Sequence, residues 1–170
     1  QRAAKVVPGG MTGHLNAASL PAGYPQFFER GQGCRVWDVD GNEYIDFMCS
    51  WGPNLLGHHH PVVDEAARRQ QALVGCLDGP TARFVELAER FVARSAHADW
   101  VLFQKNGTDA TTVCLMVARA ATGKRKVLVA TKAYHGADPW CTPIPQGITP
   151  EDRAHLIHYT YNDIASLEAA

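Results

Sequence analysis

The sequence predicts an α/β fold: a mainly parallel sheet with flanking helices, preceded by a small hairpin-and-helix unit. Three observations carry this. Short apolar, β-rich runs at 100–104, 126–130 and 156–159 alternate with amphipathic helical stretches, the pattern of strand-helix-strand units. Asp40-Gly41-Asn42 stands between two alternating segments, the signature of a hairpin turn. The chain has 170 residues, 46% apolar and 19% charged, enough apolar surface to bury a globular core.

The elements follow in order. Residues 1–33 read as an irregular arm, because Pro8-Gly9-Gly10 and Pro21-Ala22-Gly23-Tyr24-Pro25 interrupt regular structure. Its Leu15, Leu20, Phe27 and Phe28 are too apolar to remain in water, so the arm is expected to pack on its own domain or on a partner subunit. Residues 34–48 read as a hairpin, with Cys34, Val36 and Val39 outbound and Tyr44, Ile45, Phe47 and Met48 returning. The glycines and prolines of 49–61 predict a loop, and Pro61 suits the first position of a helix through Val63, Ala66, Ala67, Gln70 and Leu73. After Gly79-Pro80-Thr81, a second helix carries Phe84, Leu87, Ala88, Phe91 and Val92 on one face. Trp100 to Gln104 reads as a buried strand and Asn106-Gly107-Thr108 as a turn. A helix with Val113, Met116, Val117 and Ala120 on one face follows, ending near Gly123. Strands are expected at Lys126–Ala130 and Leu156–Tyr159. The coarse boundary at 75–80 divides the chain into residues 1–75 and 76–170.

Composition excludes several classes. Sixteen basic against 17 acidic residues give a net charge of −1, which argues against a nucleic-acid or anionic-membrane surface. No apolar run is long enough for a membrane span, and no secretory leader pattern opens the sequence. Five scattered cysteines without a C-x-x-C pair fit free thiols in the cytoplasm better than disulfides or a zinc site. The Gln1 start and the Glu168-Ala169-Ala170 end, inside a helical stretch, lead to the expectation of a piece of a longer chain.

Four short segments carry chemical interest, each with an ordinary alternative. Asn106-Gly107-Thr108 places a flexible backbone and a hydroxyl at a helix N-terminus, which suits a phosphate; Asn and Thr are equally good helix caps, and the tripeptide alone suits the cap better. Tyr134-His135-Gly136 follows a strand at the C-terminal sheet edge, where α/β ligands sit; its ring either stacks on a flat heterocycle or packs as at any strand exit. Ser50-Trp51-Gly52 walls a substrate pocket or plugs a core. His58-His59-His60 cannot all face one metal, so helix-entry contacts are expected and no metal site.

Taken in order, the segments resemble a known family. Pro8-Gly9-Gly10 comes first, then Val36-Trp37-Asp38-Val39-Asp40-Gly41-Asn42-Glu43-Tyr44-Ile45-Asp46. Ser50-Trp51-Gly52-Pro53 and Leu56-Gly57-His58-His59-His60-Pro61 follow, and then Asn106-Gly107-Thr108-Asp109-Ala110. Ala118-Arg119-Ala120-Ala121-Thr122-Gly123-Lys124 and Tyr134-His135-Gly136 complete the series. This series resembles class III aminotransferases, pyridoxal-phosphate (PLP) enzymes of fold type I. The branch containing glutamate-1-semialdehyde aminomutase and the fumonisin-type amine aminotransferases is the most similar. The resemblance implies that Asn106, Gly107 and Thr108 hold the phosphate of pyridoxal 5'-phosphate. It implies that Tyr134 stacks on the pyridine ring, that His135 helps orient it, and that Ser50 and Trp51 line the substrate side. It also implies a homodimer, with small-molecule amine and keto acid as substrates.

Departures from the family pattern refine this. Asn106 replaces the usual Ser and Asp109 the usual Glu, both keeping polarity; Lys105 adds a positive charge beside the turn. Met11-Thr12-Gly13-His14-Leu15 lacks the aminomutase pattern, which favours an aminotransferase moving an amino group from an amine to a keto acid such as pyruvate. Phe103-Gln104-Lys105-Asn106-Gly107 with Asp109-Ala110-Thr111 points to a branch acting on long or bulky amines. The alternatives are an aminomutase and a non-catalytic phosphate-binding fragment. None of Lys5, Lys105, Lys124, Lys126 and Lys132 matches the family's Schiff-base lysine, so no catalytic residue is assigned. That lysine and the acid on the pyridine nitrogen are expected beyond residue 170.

Overall fold

The Asp40-Gly41-Asn42 turn organises the first part of the chain. In the computed structural model, which describes residues 2–12 and 15–170, strands β1 (Phe28–Gln32), β2 (Arg35–Asp38) and β3 (Glu43–Ile45) form an antiparallel sheet in the order β1-β2-β3. Gly13 and His14, within the stretch that departs from the aminomutase pattern, lie outside the described residues. The hairpin is built by Asp38, only 5% exposed. Its carboxylate accepts from Asp40 N–H and Asn42 N–H at 2.9 Å, Asn42 Nδ2 at 3.0 Å and Tyr44 O–H at 2.8 Å. Those donors, the Asn42 side chain foremost, hold Asp38 below the usual carboxylate range.

Two expectations are corrected here. The arm is not irregular throughout: β1 lies within it, and short 3-10 turns occupy Ala3–Lys5 and Ala17–Ser19. Phe-Glu-Arg-Gly-Gln lacks apolar alternation, and β1 is held instead by pairing with β2, with a bulge between Phe28 and Arg30 and the Arg30 guanidinium 3.6 Å over the Trp37 ring. The return strand stops at Ile45, because Asp46 turns the chain by accepting from Met48 and Cys49 N–H, both at 2.9 Å. Helix α1 (Pro61–Leu73) follows with Pro61 in its first turn.

The chain divides into two compact units, Gln1–Gly79 and Pro80–Ala170. The second holds α2 (Ala82–Arg94), α3 (Gly107–Thr122), β4 (Val127–Ala130), α4 (Pro150–Arg153), β5 (Leu156–Tyr159) and α5 (Ile164–Ala169). Strands β4 and β5 pair in parallel, from Val127 opposite Leu156 to Ala130 opposite Tyr159. Helix α3 ends at Gly123 in the left-handed conformation, where a Cβ is disfavoured.

The segment 100–104 is not a strand: its backbone finds no ladder partner among the described residues. Its period-2 pattern survives as burial instead. Phe103 is half-buried and packs edge-on against Phe84 and Phe91 of α2, at centroid distances of 5.4 and 5.5 Å, while Trp100 and Leu102 are exposed. Of β4 only Val129 is buried; Leu128, on the opposite face, is half exposed.

Candidate cofactor and substrate site

Asn106 ends the extended segment and begins α3. Its Oδ1 accepts from Asp109 N–H at 2.9 Å, and its Nδ2 donates to Asp109 Oδ2 at 2.9 Å. This reciprocal cap satisfies one first-turn amide and ties back the one first-turn carboxylate. Among the described residues, the N–H groups of Gly107 and Thr108 meet no acceptor. A Cβ on Gly107 would meet nothing within 4 Å, so the turn opens onto free space.

Three threonines follow the cap. Thr108, Thr111 and Thr112 lie at i, i+3 and i+4, which puts their hydroxyls on one helix face. That face receives the loop leaving β4. Thr108 Oγ1 accepts from Ala137 N–H at 3.1 Å. Thr111 O–H donates to the His135 carbonyl at 2.6 Å, and Thr112 O–H donates to Asp138 Oδ2 at 2.6 Å. Trp140 Nε1–H donates to Thr112 Oγ1 at 2.9 Å, and the Trp140 ring stacks on His135 at 6.2 Å with 14° between the planes. The structure therefore brings Asn106, Gly107 and Thr108 beside Tyr134, His135 and Gly136, although the two segments are far apart in sequence. Tyr134 is 59% exposed.

Thr112, Asp138 and Trp140 escaped sequence reasoning, and Thr111 was read only as part of a branch pattern. The signal that would have found the threonines is their spacing after the cap; Asp138 and Trp140 carried none. Tyr134, His135, Trp140 and Cys141 also line a cavity of about 390 Å³. Burial pushes the Cys141 thiol above its usual range.

Ser50 and Trp51 belong to the first unit. Cys49, Ser50 and Trp51 have φ of 48°, 51° and 60°, three successive left-handed residues with side chains, followed by Gly52 at 113°. Such residues cost about 1–3 kcal/mol each and persist only where the surroundings over-determine them. The surroundings here are the Asp46 turn and a closed loop neck. His58 Nε2 lies 3.0 Å from Asp46 Oδ2, and Gly33 and His58 exchange backbone hydrogen bonds of 2.9 and 2.8 Å. The Cys49 N–H foremost, then the His58 imidazole and the Met48 N–H, hold the Asp46 carboxyl below its usual range. The neck presents Trp51 with 72% of its surface exposed, lining an apolar cavity of about 850 Å³ with Phe28, Tyr44 and Met48.

The three histidines diverge: His58 goes to Asp46, His59 Nδ1 lies 2.9 Å from Asp64 of α1, and His60 Nδ1 is buried without a hydrogen-bond partner among the described residues. No metal-binding group of side chains occurs among the described residues.

A helix N-terminus with open amides at the C-terminal edge of a parallel strand pair is the place where α/β folds accommodate phosphorylated ligands. The profile of the family Aminotransferase class-III matches residues 19–142, and the chain belongs to that family. It is 49% identical over 170 residues to aminopentol aminotransferase of Sphingopyxis macrogoltabida, covering all of this chain and 40% of the relative. It is 37% identical over 182 residues to glutamate-1-semialdehyde 2,1-aminomutase of Polaromonas naphthalenivorans, covering 41% of that relative. Among solved structures, the FumI protein of Sphingopyxis sp. MTA144 in its PLP internal aldimine form superposes with a TM-score of 0.93 at 49% identity, over 99% of this chain and 41% of that one. An omega-transaminase from Sphaerobacter thermophilus gives 0.85 at 28% identity, over 99% of this chain and 42% of that one. The chain thus spans about two fifths of the length of these relatives.

Proposed function

We propose that this chain supplies the phosphate seat, the ring-facing aromatic and part of the substrate wall of a PLP-dependent aminotransferase that moves an amino group from an amine to a keto acid such as pyruvate. The observation that carries the reading is the convergence of Asn106-Gly107-Thr108 with Tyr134-His135-Gly136 at the N-terminus of α3, in a chain of class-III aminotransferase sequence.

The donor set fits the cofactor's phosphate. Two open amides and the Thr108 hydroxyl meet a helix N-terminus whose dipole favours a dianion. Thr108 Oγ1 accepts from Ala137, and among the described residues its hydrogen meets no acceptor, which leaves it for a ligand. Asp109, the one acid of that turn, is engaged by Asn106. Tyr134, more than half exposed, is the aromatic residue assigned to the pyridine ring, and His135 is its neighbour in the chain, backed by Trp140. When bound, PLP supplies the electron sink that lets an amino group change carriers. Ser50 and Trp51 bound the substrate side, and the apolar surroundings of Trp51 suit a bulky amine, in line with the named activity of the aminopentol aminotransferase relative.

In this reading the hairpin unit, residues 1–75, belongs to a small domain, and 76–170 begin the cofactor domain. The protein works as a homodimer in the cytoplasm, and the lysine that carries the cofactor lies in sequence beyond this chain. Aminomutase chemistry is the second reading, favoured by relatives at 35–40% identity.

The test is direct. The intact protein incubated with PLP, a bulky primary amine and pyruvate should yield alanine. No alanine with any amine, and isomerisation of glutamate 1-semialdehyde instead, would favour the aminomutase. Thr108→Ala should weaken PLP retention by about 1.5–3 kcal/mol, the value of a hydrogen bond to a charged group. Unchanged affinity would leave Thr108 as a helix cap only. Tyr134→Ala should loosen PLP as well, and an unchanged affinity there would refute ring stacking.

A further inference from the structure

We infer that Thr112 is a positioning residue for the cofactor site: its hydroxyl fastens the Trp140 ring against His135, and so sets the orientation of the Tyr134-His135 side without touching the ligand. This rests on the PLP reading above.

The argument begins with what one hydroxyl can hold. A threonine O–H has one hydrogen to donate and lone pairs to accept. Thr112 uses both functions: it donates to Asp138 Oδ2 at 2.6 Å and accepts from Trp140 Nε1 at 2.9 Å. The bond to the carboxylate is charge-assisted, and it polarises the hydroxyl into a better acceptor for the indole N–H. All three side chains are half-buried, so each lost partner leaves a polar group poorly solvated.

The indole is the link to the site. Its ring lies beside His135 and nearly parallel to it, centroids 6.2 Å apart and 14° between the planes, so the indole forms one wall of the space the imidazole occupies. The His135 backbone is fixed separately, its carbonyl accepting from Thr111 at 2.6 Å, and buried Gly136 abuts Thr108. Thr111 and Thr108 thus set where the loop runs, while Thr112, through Trp140, sets how the His135 ring faces. The division follows from helix geometry: i, i+3 and i+4 share a face, and the three hydroxyls meet three successive parts of one loop.

The experiment compares the intact protein with Thr112→Val, which keeps the shape but loses the hydroxyl, and Thr112→Ser, which keeps the hydroxyl. Three readouts are taken: PLP affinity by titration of the PLP-free protein, the induced circular dichroism of bound PLP, and tryptophan emission before PLP is added. Thr112→Val should weaken PLP about three- to tenfold, alter the induced dichroism, and red-shift the emission; Thr112→Ser should restore all three. Wild-type affinity and dichroism in Thr112→Val would overturn the proposal. If that variant does not fold, Trp140→Phe keeps an aromatic face on His135 and gives up only the N–H donor; altered dichroism supports the relay and an unchanged signal overturns it. A wild type that takes up no PLP overturns the cofactor reading itself, and the proposal with it.

Discussion

Gly136 lies tight against Thr108: a Cβ on Gly136 would stand 2.8 Å from Thr108 Oγ1 and 2.9 Å from Thr108 Cα. The φ of 134° at Gly136 is one that residues with a Cβ rarely adopt. Only glycine lets the loop after β4 lie on the first turn of α3, and that contact joins the two halves of the proposed cofactor site.

Gly136→Ala should therefore lift the loop off the helix. We expect a loss of about 1–3 kcal/mol in stability and a fall in PLP affinity of tenfold or more, read by urea unfolding and by PLP titration. An affinity equal to wild type would mean that the loop and turn act independently.

Asn106→Ala removes both bonds of the reciprocal cap with Asp109. The expected cost is about 1 kcal/mol of unfolding free energy, measured by urea titration. Asn106→Ser keeps an N-cap acceptor and should recover most of the loss.

The Asp46–His58 neck should open in acid. Asp46 titrates below its ordinary value in the folded chain. The unfolded chain therefore binds the proton at higher pH, and the stabilisation is present above the unfolded value. It is lost as the pH falls through the folded value. Amide hydrogen exchange across the 49–52 turn, followed from neutral pH into the acid range, should report its opening, and Asp46→Asn should abolish that dependence at the loop. Asp38 is shifted the same way, so Asp38→Asn is the matching control for the hairpin. Identical acid profiles for wild type and Asp46→Asn would refute the neck as a clasp.

Gly31→Ala tests the same neck from the opposite strand. A Cβ there would stand 2.6 Å from the His58 ring, which has little room to yield because the His58 backbone is paired with Gly33 and the ring itself with Asp46. The variant should separate His58 from Asp46 and, in the intact enzyme, raise KM for the amine more than it lowers kcat. An unchanged KM would disconnect the neck from the substrate wall.

Local signals in the sequence were sufficient for much of the fold. Pro61 begins α1, Asn106 caps α3 and Gly123 ends it, because capping and left-handed termination depend on one or two residues. Strands β4 and β5 were legible from short β-branched runs. Strand β1 was not, because its residues are ordinary for a loop and only pairing with β2 makes it a strand. The reverse holds for 100–104, whose composition is that of a strand but whose backbone has no partner among the described residues. Strand identity is a property of a pair, and one segment cannot declare it.

The candidate site divides along the same line. The residue types of Asn106, Gly107, Thr108, Tyr134, His135, Ser50 and Trp51, and their order, were enough to reach class-III aminotransferases, because chemistry at a helix N-terminus is encoded locally. Only the tertiary structure decided that Gly136 seats the loop on Thr108, that Asp46 and His58 close a neck around left-handed Ser50 and Trp51, and that Thr112 joins Asp138 to Trp140. Those contacts span 12 to 28 residues, and they exist because chain crossings bring donors and acceptors within 3 Å or so, a distance that no local pattern specifies.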